Sequence, residues 1–151
     1  MKTYRISAAG IVIHQNKILL VRYPDKTGKG YLVGPGGGVE IKESMPQAVV
    51  REVREETGLD VLPGKILAVE DLLSSKHRLI KIWFLCTLTG GQLQPNTQAA
   101  QDEGIIEVGW HTKEQLANEV VYPSIIKDCD WKQFAHADWM VKYLGLTKAD
   151  F

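Results

Sequence analysis

Residues Gly34 to Gly58 constrain the fold more than any other stretch of the chain. They pass from Gly34-Pro35-Gly36-Gly37-Gly38 into the best-signalled helix in the sequence. A run so rich in glycine has no side chains to pack and is expected to be irregular. Ser44 then reads as a helix N-cap. Gln47, three positions on, completes a capping box, and Pro46 falls in the first turn, where its missing N–H is harmless. Gly58 is placed to end the helix. A helix is therefore expected over Met45 to Thr57, joined to a loop able to approach other groups closely.

At about 100° per residue, with Glu52 set at zero, Glu55 falls near −60° and Glu56 near +40°. Three carboxylates thus share one arc. Val49, Val50 and Val53 form a separate apolar stripe suited to docking on a sheet, and small Ala48 leaves room beside the acids. Like charges three and four positions apart repel and weaken a helix, and a face that is merely solvated usually intersperses lysines. Converging carboxylates are what a hard divalent cation such as Mg²⁺ or Mn²⁺ needs. The glycine run ending at Gly37-Gly38 would let backbone groups approach a metal or phosphate. Glu43, eight positions before Arg51, is close enough to pair with it and steady the acidic face.

The rest of the chain supplies a sheet. Ile11–Ile13 and Ile18–Val21 read as a hairpin around polar His14 to Lys17, followed by a loop over Pro24 to Gly30. A strand is expected from Val61 to Leu73, interrupted at Pro63-Gly64. Arg78 to Leu88 reads as a central strand covered on both faces, with Gly90-Gly91 turning the chain. Gln92 to Gln101 is expected to be loop and Ile105 to Trp110 another strand. Thr112 with Gln115 opens a short helix, and Trp131 to Leu144 has helical spacing. Trp83, Phe84, Trp110 and Trp139 are assigned to the core, His77 and His111 to the surface. The fold class is α/β: one domain over residues 1–151, with helices packed on a mixed sheet.

Composition narrows the function classes. With 151 residues and 44% apolar content the chain can bury a core without disulfides or structural metal. Its 18 basic residues cancel 18 acidic ones, so no domain-wide basic field invites duplex nucleic acid or a membrane surface. Cys86 and Cys129 are isolated thiols, the N-terminal stretch lacks an apolar signal-peptide core, and no run is long enough to span a bilayer. A cytoplasmic location is expected.

The spacing G-x5-E-x7-R-E-U-x-E-E-x-G-U (U aliphatic) is met at every position, by Gly37, Glu43, Arg51, Glu52, Val53, Glu55, Glu56, Gly58 and Leu59. If each polar or glycine position matches with roughly 7% probability, chance gives such a pattern about once in 10⁸ windows. On these residues the sequence resembles the Nudix hydrolase family.

The resemblance implies an α/β/α sandwich and a metal-dependent pyrophosphohydrolase. Such an enzyme cleaves the diphosphate bond of a nucleoside diphosphate linked to another moiety, by water attack at phosphorus. ADP-ribose, nucleotide sugars and (d)NTPs are the candidate substrates, with Mg²⁺ or Mn²⁺ as cofactor. Glu52, Glu55 and Glu56 would be metal ligands, with the Gly37 carbonyl a further one; Glu43 and Arg51 would support them. Glu52 and Glu103 are the candidate general bases. Lys42 stands where relatives usually have glycine. Ser74-Ser75 and Lys76-His77 replace the residues that often mark enzymes for ADP-ribose and for diadenosine polyphosphates. Arg22 and Arg78 are candidate phosphate contacts, and Tyr23, Tyr31 and Tyr122 candidate base-stacking residues, Tyr31 foremost. Many relatives are homodimers, so self-association is an open expectation. The alternative is a catalytically silent Nudix-fold binding or sensor domain, although such domains typically lose a box glutamate and this chain keeps all four.

Overall fold

A computed structural model describes residues 3–149 of the chain. Met1 and Lys2, the start of the stretch read for a signal peptide, lie outside them. The first strand, β1 (Thr3–His14), turns directly into β2 (Lys17–Tyr23). Gln15 and Asn16 adopt φ of 51° and 61°, the left-handed pair that matches strand twist in a two-residue hairpin. The short strands β3 (Tyr31–Val33) and β4 (Gly36–Gly38) follow, then helix α1 (Met45–Thr57). The glycine run is thus not irregular: Gly36, Gly37 and Gly38 pair antiparallel with Ala9, Ala8 and Ser7 of β1. Backbone hydrogen bonding across the chain, which needs no side chains, decides this segment.

Helix α1 forms as its end signals predict. Ser44 Oγ accepts from Gln47 N and the Gln47 side chain accepts from Ser44 N. At the other end Gly58, at φ 80°, takes the left-handed cap and donates to Arg54 O. Ala48, Val49 and Val53 are fully buried, whereas Val50 at the edge of the stripe is only half-buried.

Two long strands complete the central sheet, β5 (Leu59–Leu73) and β6 (His77–Gly91). Pro63-Gly64 does not interrupt β5; the register shifts between Pro63 and Ile66 and pairing continues. Gly90 and Gly91 also stay in the ladder, opposite Asp60 and Leu59. Strand β6 lies between β5 and β1, running parallel to β1, in the central position expected. Beyond it come helix α2 (Gln98–Glu103), strand β7 (Glu107–His111) and a 3₁₀ turn over Glu114–Leu116. Thr112 and Gln115 form the expected capping box ahead of that turn. Strand β8 (Val121–Tyr122) and the one-turn helices α3 (Ile125–Asp128) and α4 (Trp131–Phe134) lead to β9 (Lys142–Lys148).

Among the described residues the strands form one mixed sheet in the order β8-β3-β2-β1-β6-β5-β9, with β4 on β1 and β7 on β2. The core runs through β1, β2, α1 and the middle of β6; Trp83 is fully buried and Phe84 nearly so, while Trp110 and Trp139 pack against its margin. His77 and His111 are half-buried rather than exposed, and His111 Nδ1 is enclosed without a hydrogen-bond partner.

Two further expectations fail. The polar Gln92–Gln101 segment contains the start of α2, which Thr97 caps by accepting from Ala100 N. The helix read over Trp131 to Leu144 is a single turn followed by β9, which pairs parallel with β5. Its apolar residues dock one by one: Phe134 meets Trp139 edge-on at 5.1 Å, and Trp139 Nε1 donates to Leu67 O.

Candidate active site

The glycine strand β4 and one face of α1 meet where β4 lies on β1. A side chain at Gly37 would begin 2.6 Å from Glu52 Oε1, so glycine is required for the helix to bring that carboxylate so close. Arg51 ties the pieces together. Its Nε and Nη2 grip both oxygens of Glu43 at 3.0 and 2.6 Å. Nη2 also donates to Gly38 O at 3.0 Å, and Nη1 to Glu52 at 2.9 Å and Glu55 at 3.3 Å. The loop, the glycine strand and the helix face are thereby locked by one guanidinium. This two-point grip holds the Glu43 carboxyl below its ordinary value.

Glu56 is the most enclosed acid, 1% exposed. Its Oε1 accepts from Gly36 N at 3.2 Å, while Oε2 is buried with no partner. Burial pushes its carboxyl well above the usual range. The Glu52 and Glu103 charges add to that push, and the Gly36 N–H and Lys81 oppose it. Glu52 is raised as well, first by burial and then by Glu55 and Glu103, against the pull of Arg51. Among the described residues no three His, Cys, Asp or Glu side chains already converge as a metal cage; Arg51 Nη1 stands between Glu52 and Glu55.

Glu103 ends α2. Thr97, which caps that helix, donates through Oγ1 to Glu55 O at 2.6 Å, pinning α2 to the acidic face of α1. The Glu103 charge is consequently felt by Glu52, Glu56 and Tyr23. The sequence points to Tyr31 first among the three tyrosines, but in the structure it is Tyr23 that feels the charges of the acids. Burial, then Glu56 and Glu103, drive its hydroxyl far above the ordinary tyrosine value. It stacks on Tyr31 at 5.7 Å, and Tyr31 meets Tyr122 edge-on at 5.7 Å. The three aromatics therefore form one contact group, with Tyr23 as the member coupled to the acids.

The two arginines proposed for phosphate are engaged elsewhere. Arg22 bonds Glu107 at 2.9 Å and both oxygens of Glu119 at 3.0 and 3.2 Å. Arg78 holds Asp71 through Nε at 2.9 Å and Nη2 at 3.0 Å, and Tyr143 donates to the same carboxylate. Lys81, Glu70 and the nearness of Tyr23 escaped sequence reading, because residues on different strands meet only through register.

A NUDIX domain model matches residues 4–129, which includes the whole of this constellation. The chain belongs to the Nudix family. It is 36% identical to an ADP-ribose pyrophosphatase of Methanocaldococcus jannaschii over 68% of its own length and 66% of that protein's. It is 35% identical to an 8-oxo-dGDP phosphatase of Danio rerio over 71% of its length but 32% of the relative's. The chain thus spans between about a third and two thirds of these curated relatives. A crystal structure of an ADP-ribose pyrophosphatase from Streptococcus suis superposes with a TM-score of 0.68 at 24% identity, over 92% of this chain and 98% of that one, and shows the shared fold. A UDP-X diphosphatase superposes with a TM-score of 0.61 at 29% identity, over 79% and 56% of the two chains. The family's sheet packed between helices matches the mixed sheet and helices seen here. Among the described residues no helix is long and apolar enough to cross a membrane.

Proposed function

We propose that this chain is a divalent-metal-dependent pyrophosphohydrolase. Its substrate is a nucleoside diphosphate linked to another moiety, with ADP-ribose or a nucleotide sugar first and (d)NTPs second. The observation that carries the reading is Glu56: a buried carboxylate with an unpartnered oxygen, between Glu52 and the glycine strand. A buried charge without a partner costs several kcal/mol unless it neutralises or meets a cation. The donor set, carboxylates of Glu52, Glu55 and Glu56 with the Gly37 carbonyl, is the hard-oxygen type that Mg²⁺ and Mn²⁺ take, and the residues fit such an ion. When bound, the ion supplies charge neutralisation for the phosphoryl oxygens.

The chain's own residues do the rest. Arg51 holds Glu52 and Glu55 in place through its grip on Glu43 and Gly38. Glu103 makes no hydrogen bond with its carboxylate among the described residues, so it is the freer of the two candidates to accept a proton from the attacking water. Glu52 is already tied to Arg51 and is the alternative base. The Tyr23–Tyr31–Tyr122 group offers ring faces and edges to a nucleobase. ADP-ribose pyrophosphatases among the relatives favour ADP-ribose as the first substrate to try.

The test is product analysis on a nucleotide panel with Mg²⁺ or Mn²⁺. Release of nucleoside monophosphate from ADP-ribose supports the reading. Tight nucleotide binding with no turnover on any member favours the silent binding domain.

A further inference from the structure

Across four strands, Gly38 of β4, Ser7 of β1, Lys81 of β6 and Glu70 of β5 stand opposite one another. Cross-strand partners share a face, so Ser7, Lys81 and Glu70 point to the same side, beside the glycine strand that leads into the acidic helix. Two residues on, Trp83 shares that face. It is fully buried and donates through Nε1 to Glu70 at 2.7 Å. Lys81 Nζ lies over the Trp83 ring, 4.7 Å from its centroid. Glu70, Glu56 and Glu52 are near enough to act on the Lys81 charge, in opposition to burial, yet none closes an ion pair with it. Arg5, two residues before Ser7 on the same face, brings Nη2 to within 3.5 Å of where a Gly38 side chain would begin. Among the described residues neither cation makes a hydrogen bond or ion pair. Arginines 22, 51, 54 and 78 are all bonded to carboxylates, which leaves Arg5 as the one arginine without such a partner among the described residues, beside a lysine held over an aromatic ring.

Resting on the pyrophosphohydrolase reading, we infer that Lys81, flanked by the Ser7 hydroxyl and Arg5, forms an anion subsite that contacts a phosphoryl group of the substrate. The acids of α1 alone would repel a diphosphate. A half-buried lysine, its ammonium over an aromatic ring and without a hydrogen-bond partner among the described residues, offsets that repulsion on the substrate's side of the site. The Glu70–Trp83 bond acts through Lys81 by holding its platform still.

The probe is inorganic pyrophosphate, titrated by calorimetry into the Mg²⁺-loaded protein, with Mn²⁺ affinity measured separately. Lys81→Met keeps the length and apolar packing and removes the charge. It is expected to weaken pyrophosphate binding roughly 10- to 100-fold, the scale of one lost charged hydrogen bond, while Mn²⁺ affinity holds or rises. Lys81→Arg is expected to recover most of the loss. Arg5→Gln, at an exposed position, gives a smaller loss with an unchanged melting temperature. Pyrophosphate affinity that is absent in the parent protein, equal in Lys81→Met, or lost only in proportion to Mn²⁺ affinity overturns the subsite. A parent protein that binds pyrophosphate through Lys81 yet turns over no nucleotide keeps the subsite and removes the pyrophosphohydrolase reading instead.

Discussion

Arg51 holds both carboxylate oxygens of Glu43, at 2.6 and 3.0 Å, while another of its nitrogens bonds Glu52. One side chain therefore couples the loop before α1 to the acidic face of the helix. Arg51→Ala leaves Glu43 and Glu52 without their cation and frees Gly38 O. A stability loss of about 1–3 kcal/mol is expected from the uncompensated groups, together with a fall in turnover. Chemical denaturation beside steady-state kinetics checks both; a variant with normal stability would remove Arg51 from its bracing position.

Gly37→Ala tests the closest approach in the site. The added methyl would begin 2.6 Å from Glu52 Oε1, so either the carboxylate or β4 must move. Overpacking of this kind costs about 1–3 kcal/mol, and the displaced carboxylate should lower turnover by at least tenfold. Unchanged activity would mean that Glu52 has no fixed position to keep.

The stability of the metal-free protein should depend on pH in two opposed ways. Glu43 has a lowered folded pKa. Its contribution is present above its unfolded value, near 4.5, and is lost as pH falls through the folded value. Glu56 has a raised pKa. The folded state keeps its proton longer, so stability is present below about 4.5 and declines as pH rises toward the folded value. Denaturation midpoints from pH 3 to 8 should show Glu43→Gln flattening the acid limb and Glu56→Gln flattening the decline above it. The reverse assignment of limbs would refute both causes.

How much of this could be read from the sequence depends on distance along the chain. Helix α1, its caps and the Glu43–Arg51 pair lie within residues 43–58, where periodicity and spacing act locally. The pairing of Gly36–Gly38 with β1 was hidden because three glycines carry no alternation and the partner strand lies about thirty residues earlier. Trp131 to Leu144 misled for the opposite reason. Its apolar residues have helical spacing, but Phe134 and Trp139 are drawn into separate contacts and β9 is captured by β5. Helix α2 is polar on most of its surface, so its Thr97 and Gly104 caps were its only local signals. Lys81 sits in an apolar strand, and only register shows that it shares a face with Ser7 and Glu70.

Glu103→Gln separates a proton acceptor from a bystander. Its carboxylate is exposed at the end of α2, so the melting temperature should not move. Turnover should drop by about 10²-fold or more, the usual scale for a lost general base. Normal kcat would pass the assignment to Glu52.

The central claim is that Glu52, Glu55 and Glu56 are arranged for a divalent cation rather than for folding. Replacing Glu55 or Glu56 by Gln relieves like-charge repulsion at nearly constant size, and at Glu56 also removes the tendency of a buried carboxylate to go uncompensated. The most direct measurement is the melting temperature of the parent protein and of Glu56→Gln, with and without Mg²⁺. The parent should be stabilised by Mg²⁺. The variant should match or exceed the parent without metal, gain nothing from Mg²⁺, and lose turnover by orders of magnitude. A variant that is strongly destabilised without metal yet keeps the Mg²⁺ response would make Glu56 a structural acid and contradict the account.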